Sequence, residues 1–167
     1  INDSYVEPGF SANDNVEGDI TANVIVTGVV DTSAIGIYTL SYNVSDLEGN
    51  VAATKTRQIA VQDVSAPVVI APNNITVAAV DVNGTSNTDT AITAFLNAAN
   101  VSDDVDGIVT LIDDSPNIFS IGVTTVTFSA TDSSGNVGSA RATVTVEDQT
   151  APVITLIGNT SITLNVN

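Results

Sequence analysis

The stretch TDSSGNVGSARATVTVEDQTAP, Thr131–Pro152, decides the fold of this chain. It begins with a tight turn in which Asp132 can accept backbone N–H groups and Gly135 tolerates a positive φ. Beyond the turn, apolar and polar residues alternate, which predicts a β-strand with one face in a core. An acidic linker follows and is closed by Ala151 and Pro152. The stretch therefore predicts a hairpin, a strand and a linker.

The same turn, strand and linker occur earlier in the chain, in SDLEGNVAATKTRQIAVQDVSAP, Ser45–Pro67. In this alignment Asp46 corresponds to Asp132 and Pro67 to Pro152, with a step that is constant to within one residue. This regular spacing indicates that the chain is built from repeats.

Two further pairs of segments match at a similar step. They are NDNVEGDIT (Asn13–Thr21) with SDDVDGIVT (Ser102–Thr110), and APVVIAPNNITV (Ala66–Val77) with APVITLIGNTSITL (Ala151–Leu164). Each repeat therefore opens with Ala-Pro strands and closes with the Asp-containing hairpin and a last strand. The alignment predicts a first module over 1–63 that lacks its opening strands, a complete second module over 64–149, and a tail over 150–167 with the opening strands of a further module. We expect the chain to be cut within a longer array.

Short runs of alternating residues recur along the chain and are separated by Gly, Asn, Asp and Pro. The runs are Val24–Val30, Ile37–Val44, Thr54–Val61, Ile75–Val80, Thr124–Ala130 and Ala140–Val146. They predict an all-β fold of tandem antiparallel immunoglobulin-like β-sandwiches. Thr90–Ala99 is the one segment where a helical turn would fit, and we expect a strand there as well. The predicted core residues are Val126, Phe128, Val144 and Val146 in one sandwich, and Tyr38, Leu40, Tyr42, Ile59 and Val61 in the other.

The composition excludes several classes of function. The 19 acidic residues face only Lys55, Arg57 and Arg141, and the net charge of −16 repels nucleic acid and anionic membranes. No apolar run is long enough to span a membrane, so we expect no membrane insertion. The absence of His and Cys removes the common transition-metal ligands and most nucleophile–base pairs. The carboxylate pair Asp113–Asp114 has no nucleophile or oxyanion hole nearby, and we expect no enzyme.

Acidic residues concentrate in Gly-containing loops, which suits calcium because Ca²⁺ prefers oxygen ligands and tolerates irregular geometry. In a sandwich, the hairpin, the acidic loop and the incoming linker of the second module should meet at one end. We therefore expect a calcium site at this junction, with the ligands Asp63, Asp103, Asp104, Asp106 and Asp132. At the next junction, Asp148 should meet the residues of a following copy that are equivalent to Glu7, Asp14, Glu17, Asp19 and Asp46. The alternative is that these acids only cap turns and solvate the surface.

Parts of both modules resemble known repeat families. Ser129–Pro152 resembles the closing half of a hyalin repeat, which is similar to TATDxxGN followed by alternating valines and DxxAP. The first module resembles bacterial immunoglobulin-like repeats through YVEPGFSANDNVEGDIT, Tyr5–Thr21, and GIYTLSYNVSDLEGN, Gly36–Asn50. The resemblance implies tandem sandwiches in secreted or surface-anchored bacterial proteins such as adhesins, matrix proteins or stalks of polysaccharide-degrading enzymes. It implies no catalysis, and the chain lacks the cysteines that many hyalin repeats carry.

The sequence thus favours an extracellular or cell-surface structural or adhesive spacer, whose surface ligand it does not identify. An accessory carbohydrate- or protein-binding module of a secreted polysaccharide-degrading enzyme is the alternative. The tail leaves two interpretations open. It either donates Ile154, Leu156, Ile162 and Leu164 to the first module of another copy, forming a head-to-tail filament, or it is the start of the next module in a longer polypeptide.

Overall fold

A computed structural model describes residues 3–164, so residues 1–2 of the predicted first module and 165–167 of the predicted tail lie outside the described part. It confirms the all-β class. The strands are β1 (Asn13–Asp14), β2 (Gly18–Asp19), β3 (Ile25–Thr27), β4 (Gly36–Asn43), β5 (Lys55–Val61), β6 (Val68–Ile70), β7 (Ile75–Ala78), β8 (Thr85–Ser86), β9 (Asn100–Ser102), β10 (Leu111–Asp113), β11 (Ile118–Phe119), β12 (Gly122–Thr131) and β13 (Val137–Glu147). A 3-10 turn spans Thr21–Asn23 and one helix, α1, spans Thr90–Asn97. No helix of the described residues is long and apolar enough to cross a membrane.

The strands pair into one four-stranded sheet, one three-stranded sheet and three two-stranded ribbons. The four-stranded sheet has the order β10–β12–β13–β7, and the three-stranded sheet has the order β3–β4–β5. β4 and β5 are antiparallel, with Gly36 opposite Val61 and Tyr42 opposite Lys55. β7 runs parallel to β13, so an opening strand of the second module lies along its last strand.

The contacts divide the chain into two compact units. The first takes in the chain up to Val68 together with Val101–Leu111 and Ala130–Gly138, and the second takes in the remainder. The first unit therefore contains the linker after β5, the acidic loop after β9 and the β12–β13 hairpin, which the sequence predicts to meet at one end of the second module. This grouping keeps the candidate site within one unit.

The predicted core of the second module is confirmed. Val126 and Val144 are fully buried, and Phe128 and Val146 are each 1% exposed. Phe95 packs edge-on against Phe128, with ring centroids 5.9 Å apart. Alternation along β12 and β13 places these side chains on one face, which explains why the sequence pattern identified them.

The predicted core of the first module is only partly buried. Leu40 is buried, whereas Tyr38, Tyr42, Ile59 and Val61 are half-buried. One end of the β3–β4–β5 sheet borders an open cleft of about 530 Å³, and Tyr42 lines it. We call it the first-module cleft, and its lining includes Phe10, Asp14, Tyr42, Asp46, Asn50, Ala52, Lys55 and Arg57.

The expectation of a strand over Thr90–Ala99 is wrong, because Thr90–Asn97 forms α1. The side chain of Asp89 caps the helix by accepting from the backbone N–H groups of Ala91 and Ile92, at 2.9 and 3.3 Å. Ile92 and Phe95, three residues apart, turn inward and are buried. The capping residue lies just outside the segment, and two buried positions within eight residues are too few to show a helical period.

The tail contains no strand between Ala151 and Leu164. Its apolar side chains are exposed, with Ile154 at 88%, Ile162 at 79% and Leu164 at 83%. An isolated strand has no partner for its backbone and no layer to cover its apolar face. The described part of the tail therefore presents unpaired apolar sequence to solvent.

Replacing Phe128 with alanine should lower the free energy of unfolding by about 3–5 kcal/mol, because the truncation leaves a cavity among buried side chains. Denaturant unfolding measures the loss. Val123→Ala is the matched control, since Val123 lies on the same strand but is 68% exposed. A loss near zero for Phe128→Ala would show that the inward face of β12 is assigned wrongly.

Candidate metal centre

The linker after β5 contributes the first carboxylate, from Asp63. Its Oδ1 atom accepts a hydrogen bond from the Ser65 backbone N–H at 3.0 Å. Its Oδ2 atom is buried and has no hydrogen-bond partner, and the residue is only 6% exposed. The linker then passes tightly over Gly138, where a Cβ would overlap the carbonyl oxygen of Pro67. Glycine at this position therefore lets the linker approach the start of β13.

The acidic loop after β9 contributes the second carboxylate, from Asp103. Its Oδ1 atom accepts from the backbone N–H groups of Val105 and Asp106 at 2.8 and 2.9 Å. The loop closes through Gly107, whose φ of +72° favours glycine. The Oδ2 atom of Asp103 is buried without a partner, and the residue is 7% exposed. The turn thus holds one oxygen of Asp103 and leaves the other available.

The β12–β13 hairpin contributes the third carboxylate, from Asp132, which is 7% exposed. Its Oδ1 and Oδ2 atoms accept from the backbone N–H and the side-chain Nδ2 of Asn136, at 2.8 and 2.7 Å. Burial raises the pKa of the Asp132 carboxyl, but the hydrogen bonds from Asn136 and from the turn outweigh it and hold the pKa below its ordinary value. Asp132 is therefore kept ionised.

Two hydrogen-bonded links tie these segments to one another. Asn136 Nδ2 also donates to the backbone carbonyl of Asp63, at 3.3 Å, which joins the hairpin to the linker. Asp106 accepts from the backbone N–H and the hydroxyl of Ser133, at 2.6 and 2.9 Å, which joins the acidic loop to the hairpin. The three segments thus hold their carboxylates in place through the backbone.

One carboxylate oxygen from each of Asp63, Asp103 and Asp132 lies within 4.8 Å of the other two, and all three residues are buried. We call this group the aspartate triad. Among the described residues, the salt bridge found joins Arg57 to Glu7, both outside the triad. No basic side chain of the described residues therefore neutralises the triad carboxylates. Buried like charges with unsatisfied oxygens cost free energy, because they lose hydration and repel each other. A bound cation would remove both costs.

The structure places the other two predicted ligands of this junction outside the triad. Asp104 is exposed on the acidic loop. Asp106 is half-buried, and both of its oxygens are occupied by Ser133. Of the five predicted residues, the structure therefore brings three together.

Two of the acidic residues predicted for the next junction lie in a second group, which is more exposed to solvent than the aspartate triad. Glu17 and Asp46 form a second carboxylate group with Glu48, a residue that the sequence argument did not identify. Glu17 and Asp46 are half-buried and Glu48 is exposed. Asp46 also accepts from Asn50, and Glu17 accepts from the Leu47 backbone N–H at 2.7 Å. Its position in the same hairpin, two residues after Asp46, could have identified Glu48 as a candidate ligand from the sequence.

The remaining predicted residues are individually satisfied. Glu7 pairs with Arg57 and accepts from the hydroxyl groups of Tyr5 and Tyr42, each at 2.7 Å. Asp14, Asp19 and Asp148 accept from backbone N–H groups of their own turns, at 2.8, 2.9 and 2.9 Å. The three aspartates match the turn-capping alternative, whereas Glu7 is held by its ion pair and the two tyrosines. Within the described residues none of the four joins the aspartate triad.

Both modules build the hairpin in the same way, as the repeat predicts. Asn50 donates to Asp46 from its backbone N–H and its Nδ2 atom, both at 2.6 Å, as Asn136 does to Asp132. The acidic loops of the two modules are also alike. Asp14 and Asp103 each accept from the backbone N–H groups of the second and third residues after them. In the second module the linker residue Asp63 joins Asp103 and Asp132, and all three are buried.

Comparison with protein families divides the chain into two parts. Residues 1–61 match the family model described as bacterial surface protein, Ig-like domain. Residues 62–146 match the model described as HYR domain. No curated protein matches the chain. The boundary between the two matches falls beside Asp63, the linker residue of the aspartate triad.

Replacing Asp63 with asparagine should raise the free energy of unfolding in the presence of a chelator, by about 1 kcal/mol. The change removes one of three buried charges but keeps the oxygen that accepts from Ser65. Asp104→Asn is the matched control, because it removes the same charge from an exposed position of the acidic loop. Chemical denaturation with chelator compares the variants, and a destabilised Asp63→Asn would show that the triad is not under repulsion.

Proposed function

The chain belongs to the HYR domain family and carries a bacterial surface Ig-like domain before its HYR domain, and on this premise we propose that it is a structural or adhesive spacer stiffened by calcium. Both families imply an extracellular or cell-surface location, and neither is enzymatic. The observation that carries the calcium role is the aspartate triad, whose buried oxygens are partly unsatisfied. We propose in addition that the chain is non-enzymatic and of bacterial surface type.

Calcium is the cation that suits these ligands best. The triad offers only carboxylate oxygens, and hard oxygen donors favour Ca²⁺ or Mg²⁺ over softer metals. Ca²⁺ takes six to eight oxygens in irregular arrangements, whereas Mg²⁺ demands a regular octahedron and keeps several waters. Three aspartates from three separate segments leave room for water and for bidentate binding, which favours calcium.

The mechanical consequence follows from where the three ligands sit in the chain. Asp63 belongs to the linker, and Asp103 and Asp132 belong to loops of the following module. A cation bound to all three would tie the linker to both loops. Bending at the linker would then require breaking metal–ligand bonds, so a calcium-loaded array behaves as a stiffer rod than a calcium-free one.

Copies of the chain would extend this rod head to tail, each tail donating strands to the next first module. The exposed apolar tail and the outer edge of β5, which no other described strand occupies, support this part of the proposal. Asp148 and the residues equivalent to Glu7, Asp14, Glu17, Asp19 and Asp46 would then lie at the joint between copies, where we also propose calcium.

A second candidate function is an accessory binding module of a secreted polysaccharide-degrading enzyme. It is favoured by the aromatic pair Phe10 and Tyr42, which lines the first-module cleft with ring centroids 5.2 Å apart. Aromatic faces beside polar groups are typical of small-ligand clefts. Retardation of the protein by soluble polysaccharides in affinity electrophoresis, lost in Tyr42→Ala, would favour this candidate.

Calcium should bind the chain with measurable heat and raise its melting temperature by about 5 °C or more at saturation, because the metal binds the folded state alone. Asp63→Asn should lose most of this rise, while Asp104→Asn should keep it. Calorimetric titration and thermal unfolding with and without chelator make the comparison. Small-angle scattering should show a broader range of dimensions after chelation.

The absence of heat with millimolar calcium, together with scattering that chelator leaves unchanged, would show that the junction is metal-free. An equal loss of the calcium response in both variants would show that general acidity, and not the triad, attracts the ion.

A further inference from the structure

The outer edge of β5 is a strand edge that no other described strand occupies, and the first-module cleft adjoins only the N-terminal half of this strand. In the three-stranded sheet, β5 is the outer strand after β3 and β4 within residues 3–164. The N-terminal half of β5, Lys55 to Arg57, lines the cleft. An open edge next to an uncovered apolar face is a template for an added strand.

The tail has the properties of a strand to be added. After Asp148 the sequence contains no charged residue, whereas the whole chain carries a net charge of −16. Ile162 and Leu164 alternate with Thr163, and all three are exposed. The linker turn before the tail is already formed, because Asp148 accepts from the Thr150 N–H at 2.9 Å, as Asp63 accepts from Ser65 at 3.0 Å.

The second module shows how such a strand binds. β7 lies parallel to β13, with Ile75, Thr76 and Val77 opposite Val144, Thr145 and Val146. Ile75 and Val77 are half-buried and Thr76 is exposed, so the two apolar residues face inward. The second module therefore provides an internal template for the docking of an opening strand.

The repeat alignment transfers this register to the first module. Ile59, Ala60 and Val61 of β5 correspond to Val144, Thr145 and Val146, and Ile162, Thr163 and Leu164 correspond to Ile75, Thr76 and Val77. Ile162 would then lie opposite Ile59, Thr163 opposite Ala60, and Leu164 opposite Val61. Ile59 and Val61 are half-buried and Ala60 is exposed, which matches the inward and outward faces of the template.

Charge favours the same pair of surfaces. β5 carries Lys55 and Arg57 and no acidic residue, and the tail after Asp148 is neutral. Arg57 is paired with Glu7, which leaves Lys55 without an ion pair among the described residues. Two copies with a net charge of −16 each repel one another over most of their surfaces. The neutral tail and the β5 edge, which has no acidic residue, are surfaces at which a second copy can approach with little repulsion.

From these observations we propose that Ile162–Leu164 of one copy docks in parallel beside β5 of a second copy, with Thr163 opposite Ala60. The inference rests on the head-to-tail assembly proposed above and specifies its partner and its register. Because the donor and acceptor surfaces differ, the contact does not close on itself and adds copies in a line.

Single cysteines test the register, since the chain has none of its own. Thr163→Cys protein is mixed with Ala60→Cys protein under oxidising conditions, and a disulfide-linked pair of copies should form. The control partner is Thr56→Cys, an exposed position on the same face of β5, about 13 Å along the strand. A disulfide needs Cα atoms within about 7 Å, so the control should cross-link far less. Equal cross-linking with both partners, or none with Ala60→Cys, would overturn the proposal.

The strength of the contact is tested with substitutions in the tail of the whole chain. Ile162→Asp places a charge on the inward face and should weaken self-association in sedimentation equilibrium by about tenfold or more. Thr163→Asp adds the same charge one residue away on the outward face and should change association by no more than about threefold. Neither change should affect the fold, because both side chains are exposed in the isolated chain.

Association that is equally weakened by both variants would indicate charge repulsion alone and would overturn the proposal, as would a monomer at all concentrations. Asp63→Asn separates this result from the spacer proposal. It leaves the tail and β5 unchanged, so cross-linking should persist in this variant. A calcium response that Asp63→Asn retains in full, with cross-linking at Ala60 intact, would contradict the calcium-stiffened spacer alone. A calcium response that Asp63→Asn loses, with no cross-linking at Ala60, would contradict the docking proposal alone.

Discussion

The burial of three aspartate carboxylates beside one another is the physical constraint from which the proposed cation site and its cross-link between the linker and two loops follow. Asp63, Asp103 and Asp132 are each more than nine-tenths buried, and two of them carry an oxygen without a hydrogen-bond partner. A folded chain without a cation must bear the repulsion and the lost hydration. With a cation the same arrangement becomes a cross-link between the linker and two loops, so one interaction accounts for both the cost and the proposed function.

Short backbone turns make this arrangement possible. Each aspartate is oriented by N–H donors that use one or both of its oxygens, so the carboxylates are positioned before any metal arrives. Preorganisation of this kind reduces the ordering required on binding. The first module has the equivalent turns at Asp14 and Asp46, and its acids are more exposed than the aspartate triad.

The distribution of charge and apolar surface divides the molecule by task. The net charge of −16 repels anionic macromolecules, while the second module is held by a buried core around Phe128 without a disulfide. The tail after Asp148 carries no charged residue, and β5 carries Lys55 and Arg57 without an acidic residue. The head-to-tail assembly that we propose places the contact between copies at these two segments.

The sequence by itself determined the features that depend on neighbouring residues. Period-two alternation predicted β12 and β13 and the inward positions of Val126 and Phe128, and the repeat predicted the matching hairpins of Asp46 and Asp132. These succeed because strand faces and turn geometry are set within a few residues. The resemblance to hyalin and bacterial immunoglobulin-like repeats, which the family matches confirm, also rests on such local motifs.

Only the tertiary structure decided which acids meet. Asp63, Asp103 and Asp132 are buried together. Asp104 is exposed to solvent and Asp106 accepts hydrogen bonds from Ser133, although both belong to the same acidic loop as Asp103. The same is true of α1, where burial of Ile92 and Phe95 supports a helix in a segment expected to be a strand. In both cases the outcome depends on contacts between segments distant in sequence, and a local pattern carries no information about those contacts.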